Sequence, residues 1–210
     1  MDPRLYKTAR FSNRLLYADS LGVCVRAGRA SVSEGTADRR PIRRIVTATN
    51  EDGRSYFLSD GPPPNRFVAD YAPSFVQVLW ATGDGAAKGS EPAPKDHVFG
   101  FHSENGSILR IVDFPPDASY DLKKLNSFLD HHEVKDGDNP RHMWFHKTES
   151  LDYAICLEGE IYAMMDEGET LMRAGDVLIQ RATNHSWSNR SDKHCRMAFV
   201  LLALDRDGKV

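Results

Sequence analysis

The chain has 210 residues, 40% of them hydrophobic, with 27 basic and 30 acidic side chains and a formal net charge of -3. That length suits one domain, or one domain with an extension, and so small a net charge offers no field that would gather nucleic acid. No apolar run approaches the roughly 20 residues that span a bilayer as a helix, and residues 1–20 lack the apolar stretch of a signal peptide.

Residues 1–40 show weak periodicity and pass into RAGRASVSEGTADRR, rich in Gly, Ser and Arg, which reads as a linker. Their basic start has the composition of a transit peptide, but its Arg and Leu spacing is irregular. These residues are taken as an extension dispensable for folding, with the ordered domain starting at Pro41. IVTAT and SYFLS then form a hairpin around Asn50-Glu51-Asp52-Gly53. Gly61-Pro62-Pro63-Pro64-Asn65 breaks regular structure. Further strands are expected at Phe75–Trp80 and over SILRIVDF, separated by the surface loop GDGAAKGSEPAPKD. The spacing of Leu122, Leu125, Phe128 and Leu129 predicts a helix. His131, His132 and Glu133 at its end do not face one another, and cations there suit the helix dipole. Residues 41–139 are thus read as strands and a linking helix packed on the C-terminal third of the chain.

The stretch from Trp144 to Asn189 is the most regular. YAICLEG, EIYAMM and VLIQ are short strand-like runs separated by tight turns at DEGE and LMRAGD. In the first run Asp152, Ala154, Cys156 and Glu158 share one face, and Tyr153, Ile155 and Leu157 the other. If Asp152 faces a lumen, the opposite apolar set needs cover, for which the preceding strands are available. MAFVLLAL is apolar on both faces and reads as a strand buried on both sides. The sum is an all-β barrel or jelly roll with one short helix, its core in residues 140–205. Cys24, Cys156 and Cys195 are far apart and odd in number, which favours reduced thiols in a cytoplasmic protein. The latter two read as core packing.

His146, Asp152 and His185 are two imidazoles and a carboxylate that would make a metal site if brought together. Their spacing resembles that of the cupins. The first cupin motif carries two histidines one residue apart, an acid, and a Gly seven positions after it. His146 falls at the second histidine, Asp152 at the acid and Gly159 at the glycine, while Trp144 stands where the first histidine would be. In the second motif Gly175, Asp176, His185 and Asn189 follow the family's order, with Arg181 in place of the usual Pro. Within the family the stretch resembles small bacterial and fungal cupins described as cupin-domain oxidoreductases of aromatic or polyketide metabolism.

That resemblance implies a facial triad of His146, Asp152 and His185 holding a divalent metal, Fe(II) first, with Zn, Mn, Ni or Cu as alternatives. Glu149 is a reserve ligand. His142 lies roughly 13 Å from His146 along an extended strand, too far to share an ion. Trp144 is a candidate to narrow the pocket or stack on an aromatic substrate, and Arg181 to clamp a substrate carboxylate. Gly159 and Gly175 serve turns, and Asn189 serves the fold by hydrogen bonding. No G-x-S-x-G, G-x-G-x-x-G or Walker pattern is present. The expected activity is a metal-dependent oxidoreductase, a dioxygenase, acting on a small aromatic or polyketide-derived compound. A decarboxylase or isomerase in the same pocket, or a non-catalytic ligand-binding cupin, is the alternative. A homodimer without nucleic-acid or membrane partners is expected.

Overall fold

The computed structural model describes residues 39–86, 91–131 and 141–204, all within the unit Ser33–Val210. The extension up to residue 38, Cys24, His132 and Glu133 lie outside the described residues. Arg39 and Arg40, just before the expected boundary at Pro41, lie inside them. The Arg39 guanidinium reaches the buried Asp113 carboxylate at 3.1 Å, and the Arg40 carbonyl accepts from Arg196 at 3.1 Å. A chain cut at Pro41 would lose both contacts.

Strand β1 (Arg44–Thr49) pairs with β2 (Ser55–Gly61) as a hairpin. The Asn50 side chain makes its turn by accepting from the Asp52 and Arg54 amides, and Gly53 supplies a φ of 75°. Strand β3 (Asn65–Val68) comes directly after the proline run, where the sequence predicts none. A short edge strand beginning after prolines is the place a sheet tolerates them. The remaining strands are β4 (Phe75–Ala81), β5 (Ser107–Phe114), β6 (Ser150–Glu158), β7 (Glu160–Met165), β8 (Glu169–Arg173), β9 (Val177–Arg181), β10 (His185–Ser188) and β11 (Cys195–Ala203). One helix, α1 (Leu122–His131), is capped by Asp121, whose carboxylate accepts from the Lys123 and Lys124 amides. No helix among the described residues is long and apolar enough to cross a membrane.

A six-stranded sheet runs β3-β4-β5-β11-β6-β9 and a three-stranded one β10-β7-β8. Strands β3 to β5 therefore extend the same sheet that carries β6, rather than forming a layer of their own. Among the described residues the fold is all-β with one short α-helix, as the sequence pattern predicts. The inner faces of both sheets meet in one core. Ile108, Ala154, Met197 and Phe199 come from the larger sheet, and Ile161, Ala163, Met172 and Trp187 from the smaller. Strand β11 is central, flanked by β5 and β6; its inner face joins the core through Met197, Phe199 and Leu201, and Ala198 on its other face packs with Leu79 and Ile111. Cys156 and Cys195 are buried free thiols in this core, their sulfurs 3.8 Å apart. A second cluster packs Tyr71, Tyr120 and Trp144 against Leu125 and Leu129 of α1.

The two faces of β6 separate as its alternation requires, with Asp152 and Ala154 buried and Tyr153 and Leu157 exposed. The expected cover over the outer face reaches only Ile155, which packs with Ile42, Leu79, Ile111 and Ala198. The β1–β2 hairpin pairs with itself, not with β6.

Gly159 turns β6 into β7 with a φ of 79°, and an added Cβ would sit 2.9 Å from the His194 carbonyl oxygen. Gly159→Ala is expected to lose about 2–3 kcal/mol from that clash and from the left-handed backbone. Urea unfolding measures it, and an unchanged midpoint would show the turn to be more forgiving than its geometry.

Candidate functional site

Two histidines from distant parts of the chain are held side by side by the backbone itself. The His146 amide donates to the His185 carbonyl at 2.9 Å, and the His185 amide returns a bond to the His146 carbonyl at 3.0 Å. Residues exchanging both bonds across an antiparallel bridge send their side chains to the same face. The imidazole centroids accordingly stand 4.3 Å apart. Both residues are buried.

The protein holds Nδ1 of each ring. His146 Nδ1 donates to the Trp144 carbonyl at 2.6 Å, which fixes the tautomer and leaves a bare lone pair on Nε2. His185 Nδ1 meets the Thr183 carbonyl at 3.0 Å and the Gln180 amide. Neither Nε2 has a partner among the described residues. Burial pushes the His146 imidazole down to about 4, against the pull of the Trp144 carbonyl. It pushes His185 well below the ordinary value, and the neighbouring His146 adds to the effect. Both rings are therefore neutral at pH 7.

The pair opens on a cavity of about 210 Å³ whose walls include Phe99, Phe101, Phe128, Trp144 and Phe199. Phe101 lies 5.0 Å from the His146 ring, centroid to centroid. Trp144 thus stands where the sequence puts it, beside His146 on the cavity wall, and it also packs edge-on to Tyr71 and Tyr120. Asp152 lines the same cavity, with its Oδ1 buried and unpartnered. Burial raises its carboxyl to about 6, opposed by the Ser150 hydroxyl and the Arg110 charge.

Other expectations need correction. His146, Asp152 and His185 line one cavity but do not assemble as a triad: among the described residues no group of three or more His, Cys, Asp and Glu could hold a metal ion. The donors brought together are the two imidazoles alone, which does not fit a three-ligand centre. Glu149 is exposed and does not line the cavity, so it is no reserve ligand. Arg181 is exposed as well. It ends β9 on the outer face with Val177 and Ile179, while Gln180, opposite Asp152, points inward.

The positive charge inside the cavity comes from Arg110, on β5. It shares the inward face of that strand with Ile108, Val112 and Phe114. A lone cation at the second position of an apolar alternating face is the sequence signal that marks it. His142 does not line the cavity: Ser186 Oγ holds its Nδ1 at 2.6 Å and Asp117 its Nε2 at 3.2 Å. Asn189 performs the expected structural service, donating to the Phe114 and Lys193 carbonyls and accepting from Ser191. Gly175 provides a φ of 98° between β8 and β9, in a turn closed by the Arg173 amide on the Asp176 carboxylate.

The cupin domain family model matches residues 131–201. Phomopsin biosynthesis cluster protein C' of Diaporthe leptostromiformis is 36% identical over 166 residues, which are 70% of this chain and 84% of that protein. The chain belongs to the cupin family. This cupin is also similar to the cupin-domain-containing oxidoreductase fogC of Aspergillus ruber, 28% identical across 84% of this chain and 82% of that one. The cupin-domain-containing oxidoreductase srdD of Neurospora crassa is 30% identical across 71% and 67%. Among solved structures, the Schizosaccharomyces pombe Cnp3 cupin domain aligns with a TM-score of 0.42 at 10% identity, covering 79% of this chain and 89% of that one.

Proposed function

We propose that this cupin is an oxidoreductase that binds a small aromatic molecule in the barrel cavity and acts on it at the His146–His185 pair. One observation carries the reading: two neutral imidazoles, 4.3 Å apart, face an aromatic-walled cavity with Nε2 of each unpartnered. Relatives named as oxidoreductases and as members of biosynthesis clusters support the reaction class and a role in making a small natural product. At about 210 Å³ the cavity holds the liquid volume of about seven waters, room for a substituted ring rather than a multi-ring scaffold. A proton leaving the bound substrate goes to the lone pair of His146 Nε2, and the two electrons of the oxidation pass to dioxygen, which leaves as hydrogen peroxide. The aromatic walls keep water from competing for it.

A second reading, a dioxygenase with a divalent metal, is supported by the way the protein holds Nδ1 of each ring. For His146, whose Nδ1 donates to the Trp144 carbonyl, that is the arrangement in which histidine ligates through Nε2; His185 takes it when its Nδ1 donates to the Thr183 carbonyl. Fe(II) stands first, and Zn, Mn, Ni and Cu accept the same nitrogens. An ion there would have two protein ligands and would supply Lewis acidity and redox chemistry.

Elemental analysis of protein purified without chelator or affinity metal separates the two. One ion per chain, lost in His185→Ala, selects the dioxygenase. No uptake when Fe(II), Zn and Mn are offered leaves the pair acting as acid and base. Mass-detected oxidation of single-ring aromatics tests the shared core, which turnover surviving in both His146→Ala and His185→Ala would overturn.

A further inference from the structure

Arg110 has no ion-pair partner in direct contact among the described residues. Its Nη2 donates to the Gly100 carbonyl, its Nε is buried without a partner, and Nη1 has none either. No carboxylate among the described residues forms an ion pair with it. Asp152 lines the same cavity and its charge reaches Arg110, but the two side chains form no ion pair; with its carboxyl raised to about 6, Asp152 is mostly ionised at pH 7 and offsets the guanidinium only from a distance. Burial lowers the Arg110 guanidinium to about 10, which still leaves it fully charged at pH 7. The surrounding wall is apolar, with Val78, Val112, Phe114 and Phe199 beside it. A cation in such a place is stable only with an anion against it. The wholly buried charge of Asp113 is arranged that way, facing Arg196 and Arg39, and the half-buried Arg44 meets Glu91 through two hydrogen bonds.

We infer that the cavity takes an aromatic carboxylate, and that Arg110 is the residue that selects it by receiving the carboxylate while the ring lies among Phe99, Phe101 and Trp144. This rests on the reading of the cavity as the substrate site and names the class of substrate. A guanidinium donates to both oxygens of a carboxylate in a fixed plane. With the carboxylate anchored on β5, the ring extends toward the imidazoles that line the same space. The clamp role expected of Arg181 thus passes to Arg110, because only the latter points inward.

Isothermal titration with benzoate, benzamide and benzyl alcohol tests the inference. These probes share a ring and differ in charge. The wild type is expected to bind benzoate at least 10-fold tighter than benzamide. Arg110→Met should erase that difference, and Arg110→Lys should keep part of it. Circular dichroism checks that each variant is folded, and the wild-type comparison needs no variant. Equal affinities for benzoate and benzamide, no binding of either, or a preference that survives Arg110→Met would overturn it. His185→Ala separates this inference from the proposed reaction. A benzoate preference kept there while no aromatic carboxylate is oxidised by the wild type would sink the oxidoreductase and leave the anion site standing.

Discussion

Replacing His185 by Ala is expected to lower kcat on an aromatic substrate by at least about 100-fold, the scale on which a positioned acid or base acts. The fold should survive, because the bridge between residues 146 and 185 is made by backbone atoms that alanine retains. His146→Ala should do the same, with the added loss of the ring whose tautomer is fixed by the Trp144 carbonyl. Arg181→Ala and Glu149→Ala, both at exposed positions away from the cavity, should leave kcat within about 2-fold, as surface changes remote from a site do. Steady-state kinetics on all four variants, with near-ultraviolet circular dichroism as the folding control, decides the matter. Full activity in His185→Ala would remove the pair from the chemistry. A large loss in Arg181→Ala would restore to that residue the role its exposure denies it.

Asp113→Ala is expected to destabilise the protein by about 3–5 kcal/mol, the cost of leaving a buried charge without its partner. Asp113 is wholly buried on β5, and its register partner on β11, Arg196, binds it through two nitrogens at 2.7 and 2.8 Å. Arg39 adds a third contact at 3.1 Å. Removing the carboxylate strands the Arg196 guanidinium, while Arg39 keeps Glu158 at 3.6 Å. Removing Arg196 as well should recover part of the loss, since the stranded charge is then gone. Urea unfolding of Asp113→Ala, Arg196→Met and the double variant gives the coupling. A double variant that loses the full sum of the single losses would mean that the pair does not act as a unit.

Local pattern alone determined a good deal of this protein. The two-residue period of β6 sends Asp152 inward and Tyr153 and Leu157 outward, and the structure places them so. Gly159 and Gly175 are legible because their turns need a left-handed backbone. The helix over Leu122–His131 comes from the spacing of its apolar residues and its Asp121 cap. His146 and His185 are legible as motif positions, and both line the cavity. Tertiary structure decided what depends on distance across the barrel. Alternation tells which face a side chain takes but not how far it stands from a residue on another strand, so Asp152 shares the cavity with the histidines without joining them as a ligand set. The same limit hid Arg110, whose importance comes from what surrounds it on β4 and β11, strands remote from it or from each other in sequence. Arg181 and Arg110 look alike as single letters. They part company because β9 closes on β6 in a register that turns Gln180 inward and Arg181 out, and that register is set by hydrogen bonds between strands rather than by any residue near Arg181.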